Sequence, residues 1–457
     1  GGAVQNRLSG GRKRKNGRVP LKLIIHRGAD MIGGTCVEVC SGGTRLVLDV
    51  GMPLMHPGGA AFDQEALRGK SGPELLAMKV LPAVEGLYAW QTPSVDGVLV
   101  SHAHMDHYGL LEHVHPDIPV WMGPGTEKLI KLTAFYTNRP NPLKRPELIE
   151  WPHFFRVGAF TVTPHLVDHS SFGAFAFEIA AEGKRLFYSG DFREHGFLGK
   201  AMNILYAKVA PGVDALLMEG TMLGRAAGRV QTEEELSQEA TELCKGTDKA
   251  VLVYQSGQNV TRAVAFYKAA LRSGRWFIPD IYMADVLAGL GKCPGGGSLP
   301  WPGKPGYDKA RVWYPKKLTT LLFKKGRKDI PCQFKRAKLE REEMTAHPEK
   351  VMLFVRPGME GDIAAIPGLH GGTLLYSLWE GYLESDRTAT FLKSMESLGI
   401  TVKNLHTSGH ADIPSLQRMT EKLQPKKILP IHTLHPEDYA GLFNFPVEIT
   451  EDGRYTL

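Results

Sequence analysis

The sequence predicts a layered α/β fold in which one α/β domain is interrupted by a second. Three observations support this prediction: short β-branched runs separated by glycine pairs near the N-terminus, buried-type strands interleaved with helices, and a change of character after Thr221. The chain has 457 residues, enough for two or three domains. It is 43% hydrophobic and 23% charged, and these ordinary globular values exclude a largely disordered or fibrous chain.

The first part of the chain is rich in strands. Hydrophobic and β-branched runs predict strands at 21–26, 35–39, 44–50, 97–101, 160–164, 174–180, 185–189 and 214–219. Glu182, Gly183 and Lys184 predict a hairpin between two of them. A helix is expected to begin within 108–115.

The part after Thr221 alternates strands and helices. A helix is predicted over 232–245, because Thr232 can cap it and Glu235 completes a capping box. A strand at 250–255, a helix at 261–272 and a further strand before Asp285 predict a parallel βαβ unit. A Gly/Pro-rich stretch (294–307) and a basic stretch (316–341) follow, then strands at 351–356 and 373–378. The last part, 401–457, is predicted to return to strand and loop.

Charge and cysteine content narrow the class of protein. Lys and Arg (55) exceed Asp and Glu (48), which gives a net charge of +7 and suits a polyanionic partner. No apolar run is long enough to span a membrane. The basic stretch 1–20 lacks the apolar core of a secretory signal and is interpreted as a flexible arm, with nucleic-acid contact as the alternative. The five cysteines form no zinc-type pairs, which predicts a reducing, cytoplasmic location.

The clearest chemical signal is the segment Ser101-His102-Ala103-His104-Met105-Asp106-His107, directly after a predicted buried strand. In an extended loop His102 and His104 point the same way and can share one metal. Asp106 and His107 follow at the turn into a helix and can hold a second metal. Two metals about 3.5–4 Å apart would clamp a phosphoryl group and generate hydroxide at neutral pH.

His-x-His-x-Asp-His resembles the signature of the metallo-β-lactamase superfamily, and three further segments are similar to its other motifs in the same order. Asp49, in Leu-Asp-Val-Gly, resembles a carboxylate that orients the ligands. His169 resembles the ligand of the third motif and is preferred to His165, which lies within a strand. Asp191, in Ser-Gly-Asp, resembles the aspartate that bridges two metals. The resemblance implies an αββα sandwich.

The long insertion after Glu219 resembles the β-CASP branch of that superfamily, the nucleic-acid nucleases. Glu219 resembles its motif A, His410 in Thr-Ser-Gly-His its motif B, and His432 its motif C. The implied domains are an arm (1–20), a metallo-β-lactamase-like domain (21–221), an inserted β-CASP cap domain (222–400) and the returning part of the first domain (401–457). The resemblance implies one metal on His102, His104 and His169, a second on Asp106, His107 and His432, and Asp191 between them.

The implied activity is a metal-dependent ribonuclease that uses a two-metal hydroxide mechanism. The resemblance implies Asp106, Glu219 and His410 as the catalytic residues, with His410 expected to protonate the leaving 3′-oxygen. His432 favours RNA, because the DNA-repair members of the branch typically lack this histidine. These motifs together resemble those of ribonuclease J-like proteins, although motif A reads Glu-Gly-Thr here where ribonuclease J usually has Asp-Ser-Thr. The resemblance implies two Zn²⁺ ions, with Mn²⁺ as an alternative.

Several questions stay open from the sequence. The enzyme could cleave from the 5′ end, internally or in both ways. A DNA nuclease of the same fold and an RNA-binding subunit of a processing complex are the alternative functions, and a homodimer is a possible assembly. Single-stranded RNA is expected to contact Ser256, Asn259 and Arg262 at a strand-to-helix junction, together with Ser408 and Gly409. The basic run 324–338 is interpreted as solvated surface or as an RNA contact. The aromatic residues Phe192, Trp276, Tyr376 and Trp379 are interpreted mainly as core, with base stacking as the alternative.

Overall fold

A computed structural model describes residues 19–55, 62–63, 65–67, 69–225 and 229–457. Residues 1–18 of the predicted arm therefore lie outside the described residues. The strands in chain order are β1 (Lys22–Arg27), β2 (Cys36–Ser41), β3 (Thr44–Leu48), β4 (Gly97–Leu99), β5 (Val120–Met122), β6 (Pro146–Leu148), β7 (Phe155–Val157), β8 (Phe160–Leu166), β9 (Phe175–Ala181), β10 (Lys184–Tyr188), β11 (Ala215–Glu219), β12 (Val251–Tyr254), β13 (Trp276–Ile278), β14 (Val351–Phe354), β15 (Thr373–Tyr376), β16 (Thr401–Asn404), β17 (Ile428–Ile431) and β18 (Arg454–Thr456).

The helices connect these strands and cover the sheets. They are α1 (Gly72–Ala77), α2 (Met105–Tyr108), α3 (Pro124–Tyr136), α4 (Gly199–Lys208), α5 (Glu233–Lys245), α6 (Val260–Arg272), α7 (Ile281–Leu290), α8 (Lys316–Lys324), α9 (Asp329–Phe334), α10 (Arg341–Ala346), α11 (Glu360–Ala364), α12 (Asp386–Ser397), α13 (Ile413–Leu423) and α14 (Tyr439–Leu442). Short 3₁₀ segments lie at Glu65–Leu67, Leu111–His113, Lys335–Ala337, Pro348–Lys350, Pro367–Leu369, Glu380–Glu384 and Pro436–Asp438.

Two of the sheets pack face to face. One has seven strands in the order β18-β1-β2-β3-β4-β5-β6, and the other has six in the order β17-β11-β10-β9-β8-β7. Leu23 and Leu48 of the first sheet share a buried core with Phe177 and Leu217 of the second. Helix α3 covers the outer face of the first sheet, and α4 and α13 cover that of the second. The predicted αββα sandwich is therefore confirmed.

The third sheet belongs to the inserted segment. Its five strands run parallel in the order β13-β14-β12-β15-β16, with α6 packed on one face and α12 on the other. The chain leaves the second sheet after β11 and rejoins it beside β11 at β17, so an α/β domain is inserted as the sequence predicts. The strands of the predicted βαβ unit are parallel, but β14 lies between them.

Three local expectations differ from the structure. The helix expected within 108–115 is the short α2 at 105–108, because the amide of Leu110 donates to the carbonyl of Val50 and leaves the helical pattern. The helix α13 was expected as strand and loop, although Asp412 caps it and Pro414 lies in its first turn. Strand β16 pairs with the third sheet, so this sheet extends to Asn404, beyond the predicted return at residue 401.

No helix within the described ranges is both long and apolar enough to cross a membrane.

Candidate metal centre and catalytic site

The candidate metal centre lies where parallel strands of the two packed sheets end. Asp49 and His102 follow the parallel strands β3 and β4. Asp191 follows β10, Glu219 ends β11 and His432 follows β17, and these three strands are also parallel neighbours. Because parallel strands end at the same edge of a sheet, residues far apart in the sequence meet here.

Three imidazoles form the first group of candidate ligands. The Nδ1 atom of His104 lies 3.1 Å from the Nε2 atom of His102 and 3.1 Å from the Nε2 atom of His169. One ring nitrogen has a single hydrogen or lone pair and cannot serve both neighbours as hydrogen-bond partners. Nitrogens about 3.3 Å apart are expected instead around a tetrahedral Zn²⁺. This arrangement fits three ligands of one cation.

The ring orientations of these histidines are fixed from outside the group. The Nδ1–H group of His169 donates to the carbonyl of Gly409 at 2.8 Å, which leaves Nε2 facing inward. Nδ1 of His102 lies 3.0 Å from Ser101 Oγ. Burial lowers the pKa of His104 to about 4 and lowers the pKa values of His102 and His169 well below the ordinary range. The neutral imidazole is the form that binds metals.

Asp106, His107 and His432 form the second group. The Nε2 atom of His432 lies 3.0 Å from Oδ2 of Asp106. Nε2 of His107 lies 3.1 Å from Oδ2 of Asp191, yet among the described residues neither this nitrogen nor the two Asp191 oxygens has a hydrogen-bond partner. Buried polar atoms without partners are costly, and a divalent cation between them would remove that cost.

Asp191 is shared by both groups. Its carboxylate lies 3.6 Å from His102 Nε2 in the first group and 3.1 Å from His107 Nε2 in the second, and donor atoms of each group lie within 4.8 Å of one another. The donors are imidazoles and carboxylates only, a set that suits Zn²⁺ or Mn²⁺. The residues present therefore fit divalent cations.

Asp49 contacts the Nδ1 atom of His107, whereas the Nε2 atom of His107 faces the other candidate ligands. Asp49 accepts hydrogen bonds from the amide of Ser101 at 2.7 Å, the Ser101 hydroxyl at 2.8 Å and the Tyr188 hydroxyl at 2.6 Å. It also accepts from the Nδ1–H group of His107 at 2.8 Å. These contacts leave His107 Nε2 free for a cation, the arrangement that the predicted orienting role requires. The contacts of Ser101 and Tyr188 with Asp49 were not predicted, because these residue types carry no ligand signal.

His432 is held in a similar way. Its backbone has a positive φ of 51°, and its Nδ1–H group donates to the Thr221 hydroxyl at 2.8 Å. The amide of His432 also donates to the carbonyl of Gly28 at 2.6 Å. Nε2 is thereby directed towards Asp106. The roles of Thr221 and Gly28 depend on long-range packing and were not predicted.

Glu219 and His410 form a pair at the mouth of the cluster. The Nδ1–H group of His410 donates to Oε1 of Glu219 at 3.3 Å, and its side chain is 22% exposed while Glu219 is fully buried. Glu219 also accepts from the amides of Phe192 and Thr221. Burial opposes protonation of His410, but the carboxylates of Glu219 and Asp191 outweigh it and raise its pKa to about 9.

A buried ion-pair network joins the inserted domain to this site. Glu233, in the first turn of α5, accepts from Arg193 Nη1 at 2.9 Å and from Arg262 Nε at 2.8 Å. Arg193 also donates to the carbonyl of Ser408 at 2.9 Å, and Arg262 donates to that of Thr407 at 2.8 Å. The two arginines and the glutamate are fully buried. The network therefore fixes the segment that carries His410.

The predicted RNA contacts have different surroundings. Asn259 caps α6 and pairs with Ser171 in an isolated bridge, close to His169. Ser256 is exposed. The carbonyls of Ser408 and Gly409 already accept hydrogen bonds from the protein.

Arg262 needs a correction as a phosphate contact. Its guanidinium is fully buried and is bound to Glu233, so it cannot reach a bound strand in this conformation. Phe192 and Tyr376 lie in the core, Trp276 is half-buried and Trp379 is 48% exposed. In the basic run, Lys338 pairs with Glu340 and Arg327 with Asp329, so part of its charge is neutralised within the protein.

Comparisons with known proteins agree with this geometry. The family described as "Beta-lactamase superfamily domain" matches residues 72–254, and the family described as "Zn-dependent metallo-hydrolase RNA specificity domain" matches residues 398–440. The chain is 22% identical over 442 residues to ribonuclease J of Mycoplasma genitalium, covering 91% of this chain and 68% of that protein. It is 23% identical over 377 residues to ribonuclease J of Sinorhizobium meliloti, covering 79% of this chain and 62% of that protein.

A solved structure shares the fold. A protein of unknown function from Enterococcus faecalis V583 superimposes with a TM-score of 0.76 at 20% identity, covering 96% of this chain and 100% of that one. The superfamily resemblance of the sequence motifs is confirmed by the family matches and by the sandwich fold.

Proposed function

We propose that this chain, which belongs to the metallo-β-lactamase superfamily and is ribonuclease J-like within its β-CASP branch, is a metal-dependent ribonuclease acting on single-stranded RNA. The observation that carries the proposal is the buried group of imidazoles and carboxylates around Asp191, which opens towards His410. The RNA specificity match at 398–440 and the two ribonuclease J relatives support RNA as the substrate.

Seven residues would hold two divalent cations. His102, His104 and His169 would bind one, Asp106, His107 and His432 the other, and Asp191 would bridge them. The cations, when bound, supply a hydroxide nucleophile at neutral pH and neutralise charge on the phosphoryl oxygens. Asp49 keeps His107 in the tautomer whose Nε2 atom faces inward. We propose Zn²⁺ as the physiological ion, with Mn²⁺ as the alternative.

His410 is the proposed general acid. Its Nδ1–H group is held by the buried Glu219 carboxylate, which favours the protonated ring, and its exposed edge can reach a bound phosphodiester. Its Nδ1–H bond to Glu219 leaves Nε2–H free to protonate the leaving 3′-oxygen. The products would be a 5′-phosphate and a 3′-hydroxyl.

The sandwich and the inserted domain contact one another, which supports the proposed division of the chain after residue 221. Because β16 pairs with the third sheet, we place the return to the sandwich after Asn404 instead of at residue 401. Helix α3 of the sandwich packs on α7 of the insertion, where the Tyr136 hydroxyl donates to Asp285 at 2.9 Å. A single-stranded RNA bound between the sandwich and the inserted domain would therefore contact both.

The test is cleavage of one single-stranded sequence prepared as 5′-monophosphate, 5′-triphosphate and 5′-hydroxyl RNA and as DNA, labelled at either end, with Zn²⁺ or Mn²⁺. We expect RNA cleavage by the wild type and none by Asp191→Asn. Mononucleotides from the monophosphate RNA alone would identify a 5′-to-3′ exonuclease, and internal fragments from all three RNAs an endonuclease. Cleavage of DNA alone, or of nothing by a metal-loaded protein, would overturn the proposal.

A further inference from the structure

Two neighbouring aromatic side chains are exposed on the loop that follows β15. Trp379 is 48% exposed and Tyr382 is 54% exposed. Their rings meet edge to face, with centroids 5.6 Å apart and an interplanar angle of 86°. Exposed tryptophan and tyrosine side chains side by side are typical of binding surfaces, because each offers a large rigid apolar face.

The loop holds Trp379 in place. The carbonyl of Trp379 accepts hydrogen bonds from the Tyr376 hydroxyl at 3.3 Å and from the amide of Tyr382 at 3.1 Å. A Cβ atom at Gly381 would lie 2.3 Å from the indole ring, so glycine is required for the ring to fold against the loop backbone. The indole is therefore ordered before any ligand arrives, which lowers the entropic cost of binding.

The guanidinium of Arg225 lies beside the aromatic pair. The Arg225 guanidinium lies 5.3 Å from the centroid of the Trp379 ring. Arg225 is exposed, and its side chain donates to Met222 Sδ at 3.7 Å. In the part of the chain that the structure describes, no carboxylate forms an ion pair with it. An unpaired guanidinium beside an exposed indole offers one contact for a base and one for a phosphate.

Arg225 is connected to the segments that carry His410 and His432. The Met222 Sδ atom that accepts from Arg225 also accepts from the Ser408 hydroxyl at 3.2 Å, and Ser408 Oγ accepts from the amide of His410 at 3.0 Å. Four residues before Arg225, the Thr221 hydroxyl accepts from the Nδ1–H group of His432 at 2.8 Å. The aromatic pair and Arg225 therefore adjoin the part of the metal centre where His410 is exposed.

We propose that Trp379, Tyr382 and Arg225 form a nucleotide subsite at the rim of the metal centre. A base of single-stranded RNA stacks on the aromatic pair, and Arg225 binds an adjacent phosphate. Stacking of this kind tolerates any base, because every base has an aromatic face. The subsite rests on the proposed ribonuclease function and adds to it the contact that holds a nucleotide next to the scissile bond.

The test is binding of fluorescein-labelled single-stranded RNA, followed by anisotropy, in a metal-loaded His410→Ala parent that does not cut the probe. Trp379→Ala in this parent is expected to weaken binding roughly 10- to 100-fold, the range for loss of one stacked base. The matched control is Trp151→Ala. Trp151 is 40% exposed, lies between β6 and β7 and is not part of the group formed by Trp379, Tyr382 and Arg225, so its loss should leave affinity unchanged.

A second readout does not depend on the stability of the alanine variant. RNA should quench part of the tryptophan fluorescence of the parent, and Trp379→Phe should abolish that part while it keeps most of the affinity. Unchanged affinity in Trp379→Ala, or unchanged quenching in Trp379→Phe, would overturn the subsite and leave the ribonuclease proposal standing. Absence of RNA cleavage by the wild type would overturn the ribonuclease proposal itself.

Discussion

Replacement of Glu233 by glutamine should destabilise the fold strongly. The carboxylate neutralises two fully buried guanidiniums through hydrogen bonds of 2.8 to 3.1 Å. Burial opposes its ionisation, but Arg262 and Arg193 outweigh burial and lower the pKa of Glu233 from 4.5 to about 2. That difference corresponds to about 3 kcal/mol. Loss of one partner of a buried ion pair typically costs about 3–5 kcal/mol, so we expect a loss of about 3 kcal/mol.

The assay is urea unfolding at pH 7, followed by circular dichroism and by tryptophan fluorescence. Glu234→Gln is the matched control, because Glu234 is the next residue of α5 but its carboxylate is 37% exposed and pairs with Lys268 and Arg272 at the surface. Surface pairs of this kind contribute less than about 1 kcal/mol. A loss of unfolding free energy for Glu233→Gln no larger than that for Glu234→Gln would show that the buried ion pairs of Glu233 do not stabilise the fold.

The difference between the wild type and Glu233→Gln should also depend on pH. A carboxylate whose pKa is lowered in the folded state stabilises that state above its unfolded pKa of 4.5 and loses this contribution as the pH falls towards 2. The difference in unfolding free energy should therefore narrow by about 1 kcal/mol between pH 7 and pH 3.5. A difference that stays constant or grows on acidification would contradict the ion pair as its cause.

Three further predictions concern the metal centre. Asp49→Asn should weaken metal binding about 10- to 100-fold in a chelator competition, because the amide has one acceptor oxygen where the carboxylate uses two to bind Ser101 and to fix the His107 tautomer; wild-type affinity would contradict this role. His410→Gln should lower kcat about 100-fold or more at unchanged metal content, because the proton donor is lost; loss of metal instead would identify His410 as a ligand. Chelation by EDTA should lower the thermal unfolding midpoint, and Zn²⁺ should restore it, because the buried oxygens of Asp191 have no hydrogen-bond partner among the described residues; an unchanged midpoint would contradict cation binding there.

The sequence predicts the site well where the signal is local. His102, His104, Asp106 and His107 lie within one segment after a buried strand, so their proximity follows from chain connectivity. Asp191 and His432 could be assigned only through the motif resemblance. In the structure Asp191 and His432 lie next to the His102–His107 segment, because β4, β10 and β17 all end at the metal centre.

The buried network could not be predicted in this way. Arg193 and Glu233 are 40 residues apart, and Arg262 is a further 29 residues along the chain. In the sequence Glu233 looks like its neighbours in the acidic first turn of α5, and Arg262 looks like a phosphate ligand near a helix N-terminus. Only the packing of the inserted domain on the sandwich decides that these side chains meet each other and are withdrawn from solvent.

Two helices also differ from the expectations drawn from the hydrophobic pattern. The helix expected within 108–115 ends early, because Leu110 bonds to Val50 in a neighbouring segment. The helix α13 carries start signals at Asp412 and Pro414, which the strand-like reading of the last part passed over. In both places the backbone follows its tertiary partners or its caps in preference to the hydrophobic pattern.

We propose that Asp191 and its neighbours hold two divalent cations and that RNA cleavage requires both. The most direct measurement is stepwise addition of Zn²⁺ to metal-free protein, with bound metal counted by mass spectrometry and RNA cleavage measured at each step. We predict that cleavage rises with the second bound equivalent, and that Asp191→Asn neither binds that equivalent nor cleaves. Full RNA cleavage by protein that holds no metal or one metal would contradict the claim.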